Sequence, residues 1–237
     1  MSEHIVQAFD EELSAIKNQI GHMGRLAEML LANSIEALKR SDIKLATEAI
    51  AQDNELDILE RQIETQAVQT IAKRQPVARD LREIVAAIHI AADLERIGDL
   101  AKNTAKRILL GSEPVPKKLM NGLLQIAALA KLQLHEVLES YATADAVRAM
   151  KVWREDEELD ALFNSVFREL LTYMMEDSRN IGFCAHLLFV AKNLERIGDH
   201  ATNISEKIFY LVNGQTIDEA RPKHELSGLA AVHPPKH

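Results

Sequence analysis

The hexapeptide LERIGD occurs twice in this sequence, at residues 94–99 and again at residues 194–199. A second similarity lies upstream of each copy, where residues 42–57 align without gaps with residues 145–160. The offset is 103 residues in the upstream stretch and 100 residues at the hexapeptide, so the second half has lost three residues where a turn between helices can shorten. The chain is therefore predicted to contain two copies of one structural unit.

The composition of each half predicts helices. No proline precedes Pro76 or falls between Pro116 and Pro222, and these stretches are rich in Ala, Leu, Glu, Lys and Ile. Pro76 suits the start of a helix, while Gly111 and the pair Asn213-Gly214 suit helix ends. The pattern predicts six helices, over about residues 5–40, 42–73, 77–110, 117–141, 144–175 and 179–213.

Three helices, a proline-containing linker and three more helices repeat the same order of elements. The sequence therefore predicts an all-α, pseudo-twofold protein made of two tandem antiparallel three-helix bundles. The first bundle comprises residues 1–110, the linker residues 111–118 and the second bundle residues 119–213. Residues 214–237 show no sustained hydrophobic period and are predicted to form a flexible C-terminal tail.

Charge and composition argue against several functions. The 28 Lys and Arg residues are outnumbered by 36 Asp and Glu, and a net charge of −8 disfavours nucleic acid as a partner. The chain has neither an export signal at its start nor an apolar stretch of about 18 residues that could span a bilayer. Its single cysteine, Cys184, fits a reducing compartment. The protein is predicted to be cytoplasmic and to reach a membrane only through partners.

Acidic residues interrupt the apolar faces of the second and third predicted helix in each half. They recur at i, i+4 spacing, which places the two carboxylates of a pair one turn apart on one face. Because a short turn joins the two helices, their pairs can face each other. The candidate residues form a first seam of Asp53, Asp57, Glu95 and Asp99, and a second seam of Asp156, Asp160, Glu195 and Asp199.

Four carboxylates in an apolar seam require compensation. They raise one another's pKa and lose hydration, which costs on the order of several kcal/mol. Protons, arginines or metal ions could compensate this charge. Arg96 and Arg196 follow the glutamates and so lie about 100° away from the seam. From outside they could still brace Asp99 and Asp199 at i, i+3.

A multivalent cation bound by oxygen ligands is the favoured compensation, as in helical bundles that bind metals through inward carboxylates. Asn103 and Asn203 lie one turn beyond the aspartates, where they are either further ligands or partners in interhelical hydrogen bonds. The alternative is a purely structural acidic seam. Oxygen donors accept Fe, Zn, Mn or Mg, so the sequence leaves the identity of the ion open.

The doubled acidic pairs, DNELD with ERIGD and DEELD with ERIGD in two three-helix halves, resemble the PhoU family of phosphate-uptake regulators. The resemblance covers about residues 5–213 and leaves out only the C-terminal tail. It implies tandem bundles whose acidic motifs bind multinuclear iron, zinc or manganese clusters in some members, and a homodimer. It also implies negative regulation of phosphate uptake and of the phosphate-starvation response. The implied partners are the ATPase subunit of the phosphate ABC transporter and the membrane-bound sensor histidine kinase.

Two other functions stay open. A carboxylate-bridged di-metal enzyme on a helical bundle would normally pair Glu with His at i, i+3, and the chain has no Glu-x-x-His. It also has no phosphate-binding loop and no nucleophile elbow, so the sequence predicts a protein that is not an enzyme. A metal-free helical scaffold is the third possibility, and it requires that the acidic seams bind nothing.

Overall fold

Long helices make up nearly all of the chain that the structure describes. The computed structural model describes residues 2–110, 115–219 and 221, and within these ranges it contains no strand. The helices are α1 (Ser2–Arg40), α2 (Ile43–Arg74), α3 (Ala78–Leu110), α4 (Lys117–Thr143), α5 (Ala146–Glu176) and α6 (Ile181–Asn213), with a 3-10 turn at Ser178–Asn180. The all-α prediction is confirmed, and the six predicted helices correspond to the six observed ones.

One aspartate starts the second helix of each half. A side-chain oxygen of Asp42 accepts a hydrogen bond from the Leu45 N–H at 3.0 Å. Asp145 accepts hydrogen bonds from the N–H groups of Val147 and Arg148 at 2.9 and 3.0 Å. These N–H groups lie in the first turn of a helix, where no backbone carbonyl is available to them. The two aspartates are equivalent in the repeat, so their shared identity has a structural cause.

Helices α2, α4 and α6 end in left-handed backbone conformations. Gly214 follows α6 with φ of 70°, as its type and position predict. Gln75 and Ala144 end α2 and α4 with φ of 50° and 52°, and neither end carries the glycine signal that would reveal it in the sequence. The predicted cap Gly111 and the adjoining linker residues 112–114 lie outside the described residues.

The helices form two antiparallel three-helix bundles that lie side by side. Helices α1, α2 and α3 pack together in the first bundle, and α4, α5 and α6 pack together in the second. The bundles meet where α3 packs on α6 and α1 packs on α4, whereas α2 and α5 touch no helix of the other bundle among the described residues. One apolar core runs through both bundles. No helix in the described part of the chain has the length and apolar character needed to cross a bilayer.

The glycine of each LERIGD copy lies where two helices approach closely. A Cβ atom added to Gly98 would overlap Cδ1 of Leu56, and one added to Gly198 would lie 3.1 Å from Cδ1 of Leu159. Leu56 and Leu159 are equivalent in the repeat and are almost fully buried. Because a packed core tolerates little added volume, glycine allows α2 to approach α3 and α5 to approach α6. This spacing brings the acidic residues of the paired helices together.

Replacing Gly98 with alanine should lower the free energy of unfolding by about 1–3 kcal/mol, because the added methyl group displaces Leu56 in the core. This loss outweighs the gain of about 1 kcal/mol that alanine brings to a helix. Gly182→Ala is the matched control, since a Cβ there meets no atom within 4 Å and only the helical gain should remain. Urea unfolding measures both variants. A Gly98→Ala protein as stable as Gly182→Ala would contradict the close approach.

Candidate functional site

The first seam lies between α2 and α3. Asp53 is only 4% exposed, while Asp57, Glu95 and Asp99 are half-buried. Burial raises the pKa of Asp53, the hydrogen bond from Lys102 opposes this, and the charges of Asp99 and Asp57 raise it further. Burial likewise raises the pKa of Glu95, to which Asp99 and Asp57 also contribute. The four predicted carboxylates of the first half are therefore close enough to influence one another.

A lysine from α3 neutralises part of this charge. The Nζ atom of Lys102 donates hydrogen bonds to Oδ2 of Asp53 and to Oδ1 of Asp99. Burial by itself lowers the pKa of Lys102, but these two carboxylates raise it more, so the overall shift is upward and the ammonium stays charged. The first seam therefore contains a cation that belongs to one of its own helices.

The other predicted supporting residues of the first half lie at the rim. Arg96 is 62% exposed on its side chain, with Nε 3.4 Å from Oε2 of Glu95 and Nη1 3.8 Å from Oδ2 of Asp99. Contacts of this length at an exposed side chain add little stability, because water screens them. Asn103 is exposed. Lys102, between these two positions in the chain, is the residue that bridges the carboxylates.

The second seam lies between α5 and α6 and contains a cation from elsewhere in the chain. Asp156 is 1% exposed, and Thr202 donates a hydrogen bond to its Oδ1 at 3.1 Å. Nη2 of Arg221 donates to Oδ2 of Asp156 at 2.8 Å and to Oδ1 of Asp199 at 2.7 Å. Burial raises the pKa of Asp156, Arg221 opposes this, and the charges of Asp160 and Asp199 add to the rise. Arg221 thus bridges the two aspartates that correspond to Asp53 and Asp99.

Glu195 is the second buried carboxylate of the second seam. Its residue is 8% exposed, and Nζ of Lys192 donates a hydrogen bond to its Oε1 at 2.6 Å. Its Oε2 is buried and has no hydrogen-bond partner among the described residues. Burial raises the pKa of Glu195, Lys192 opposes this, and the charges of Asp199 and Asp160 raise it further. This oxygen is a buried acceptor of the second seam that no described residue satisfies.

Two predicted supporting residues of the second half lie away from the seam. Arg196 is exposed. Asn203 donates a hydrogen bond to Oδ1 of Asp93 on α3 at 3.4 Å, and Nδ1 of His200 lies 2.8 Å from the same oxygen. Asn203 therefore joins α6 to α3, as an interhelical partner, in the contact between the bundles.

Carboxylate oxygens are ligands that hard cations prefer, so the chemistry of both seams suits a metal ion. Among the residues that the structure describes, however, no three Asp, Glu, His or Cys side chains gather around one point. Lys102 and Arg221 each hold two of the carboxylates instead. A metal ion in either seam would have to take the place of that basic side chain.

Comparison with known proteins assigns both halves of the chain to one family. The model of the PhoU domain matches residues 20–108 and 123–208. A phosphate-specific transport system accessory protein PhoU homolog of Rhizobium meliloti (strain 1021) is 54% identical over 225 residues, or 94% of this chain and 95% of that protein. A Caulobacter vibrioides (strain NA1000 / CB15N) homolog of the same name is 48% identical, over 94% and 97% of the two chains. The crystal structure of PhoU from Pseudomonas aeruginosa superimposes with a TM-score of 0.82 at 35% identity, covering 87% of this chain and 100% of that one. The chain therefore belongs to the PhoU family.

The raised pKa of Glu195 leads to a test of the second seam. The folded protein holds the proton of Glu195 more tightly than the unfolded chain does, so the ionised carboxylate costs stability as the pH rises through its folded pKa. This cost disappears as the pH falls to the ordinary value of 4.5. Glutamine is similar in shape to a protonated glutamate and carries no charge. The Glu195→Gln protein should therefore have a higher free energy of unfolding than the wild type at pH 7.5 in a chelating buffer, and this difference should shrink towards pH 4.5.

Urea unfolding across this pH range measures the difference, and Glu64→Gln on the exposed face of α2 controls for the loss of a surface carboxylate. A Glu195→Gln protein that is less stable than the wild type at pH 7.5 would contradict a net cost of ionising Glu195 in the folded protein.

Proposed function

We propose that this protein is a negative regulator of phosphate uptake and of the phosphate-starvation response, and that it acts as an accessory to a phosphate-specific transport system. The observation that carries the proposal is the match of both halves to the PhoU domain, together with a relative named as a transport accessory protein that is 54% identical over 94% of this chain. The protein has no catalytic role in this proposal and acts in the cytoplasm by binding other proteins.

The proposed partners are the ATPase subunit of the phosphate ABC transporter and the phosphate sensor histidine kinase. The long helices of the two bundles offer broad surfaces of the size that stable protein interfaces require. Apolar side chains are exposed near the ends of the bundles, including Val77 at 73%, Val147 at 82% and Met175 at 87%. Such side chains supply the apolar centre of an interface when a partner covers them.

A homodimer belongs to the same proposal, because the exposed apolar side chains that could receive a partner could equally receive a second copy of this chain. Light scattering at micromolar concentration checks it: twice the chain mass of 26.5 kDa is the expected result, and a monomeric mass throughout would contradict it.

The two acidic seams are the proposed binding sites for metal ions, with Fe, Zn, Mn and Mg as the candidates. The ligands would come from Asp53, Asp57, Glu95 and Asp99 in the first seam and from Asp156, Asp160, Glu195 and Asp199 in the second. A bound ion would supply the positive charge that buried carboxylates require. The buried Oε2 of Glu195, which lacks a partner among the described residues, supports this assignment.

A deletion strain tests the regulatory function. Without the protein, a reporter of the phosphate-starvation genes should stay on in phosphate-rich medium, and phosphate uptake should be uncontrolled. The wild-type gene should restore repression. The Asp57→Ala/Asp160→Ala variant should contain less metal by elemental analysis of untagged protein and should restore repression poorly, whereas Glu64→Ala on the exposed face of α2 should behave as the wild type.

Normal reporter expression and normal uptake in the deletion strain, with no second copy of the gene present, would contradict the regulatory function. Full repression by a metal-depleted Asp57→Ala/Asp160→Ala protein would separate regulation from metal binding and would remove the second part of the proposal.

A further inference from the structure

The two seams hold equivalent ion pairs that come from different parts of the chain. In the first seam Lys102 bridges Asp53 and Asp99, and it lies within α3. The repeat places Thr202 at the position of Lys102, and a threonine carries no charge. In the second seam the bridge is made by Arg221, which follows the end of α6 and lies beyond residues 123–208, the range that matches the family domain.

The difference in origin determines how easily each cation can leave. Lys102 is fixed by the backbone hydrogen bonds of α3, so it can only swing on its own side chain. Arg221 belongs to no helix, and its guanidinium is held by Asp156 and Asp199. It can therefore move away together with its segment. A departing Arg221 would leave Asp156, which is 1% exposed, without its cation.

The second seam also contains the open acceptor that a replacing cation needs. Oε2 of Glu195 is buried without a partner among the described residues, whereas Oε2 of Glu95 lies 3.4 Å from Nε of Arg96. The charges of Asp160 and Asp199 act on Glu195, and Asp199 is one of the two aspartates that hold Arg221. A divalent cation there would gain a ligand that Arg221 leaves unused.

We propose that residues 215–219 and Arg221 act as a latch, in which Arg221 occupies the second seam until a divalent cation displaces it. The latch rests on the proposed metal binding by the seams and adds to it that the second seam exchanges its cation more readily than the first. Binding of the divalent cation at Asp156, Glu195 and Asp199 releases Arg221 together with the segment that carries it.

Release of the latch would uncover a specific surface. Thr216, Ile217 and Glu219 line a cleft of about 320 Å³ together with Val85 and His89 of α3 and Tyr210 of α6. These two helices also form part of the contact between the bundles. The latch therefore connects the occupancy of the second seam with the exposure of the α3–α6 face, which a protein partner could read.

Hydrogen exchange detects the latch without reference to any cellular activity. In metal-free protein, the amides of residues 215–219 should exchange faster in Arg221→Gln than in the wild type, because the anchor is lost. Saturating MnCl₂ should speed exchange of the same amides in the wild type and should change little in Arg221→Gln. Arg179→Gln is the matched control, since Arg179 pairs with Asp177 away from both seams and its loss should leave residues 215–219 unchanged.

Calorimetric titration with MnCl₂ measures the competition directly. Arg221→Gln should bind Mn²⁺ at least about tenfold more tightly than the wild type. In this variant the ion does not have to displace Arg221 before it binds. Thr202→Lys gives the second seam the anchored cation of the first, so it should weaken Mn²⁺ binding and free residues 215–219 even without metal. Glu195→Gln should also weaken binding.

Equal Mn²⁺ affinity of Arg221→Gln and the wild type, no binding by either, or exchange of residues 215–219 that bound Mn²⁺ leaves unchanged would each overturn the latch. None of these results bears on the reporter phenotype of the deletion strain. A failed latch and a failed regulatory function are therefore distinguishable.

Discussion

The burial of a carboxylate in each helical seam is the constraint on which the structure depends. Asp53 and Asp156 are 4% and 1% exposed, and an ionised carboxylate at such a depth is costly unless a charge and hydrogen bonds compensate it. In each half one basic side chain provides the charge. It binds the buried aspartate and also an aspartate on the other helix of the seam. The glycine in each LERIGD copy makes this possible, because it allows the two helices to approach until their acidic side chains meet.

The repeat keeps the acidic residues but not the cation, and this makes the two halves different in chemistry while they stay similar in fold. A cation anchored on α3 makes the first seam a part of the helical scaffold. A cation brought in by the segment after α6 makes the second seam depend on a contact between distant parts of the chain. Since function resides in sites and not in folds, a duplicated bundle can thus carry one structural and one exchangeable site.

Much of this could be predicted from the sequence, because helical periodicity and repetition are local signals. The six helices, the repeat and the faces of the eight acidic residues follow from spacing alone. The spacing of the acidic pairs does not reveal Lys102, because its long side chain reaches the seam from position i+3 after Asp99. Arg221 carries no periodic signal, since its role arises only from tertiary contact. The packing of α3 on α6 likewise depends on how the halves meet.

The measurement that tests the central claim most directly is a double-mutant cycle of Lys102→Met and Asp53→Asn. Urea unfolding in a chelating buffer gives the free energy of unfolding of the wild type, the two single variants and the double variant. If the cation compensates the buried carboxylate, Lys102→Met alone should lower the free energy of unfolding by about 3 kcal/mol. In the Asp53→Asn background the same substitution should cost much less, with a coupling energy of at least about 1 kcal/mol. Additive effects of the two substitutions would contradict the claim that the seam depends on its cation.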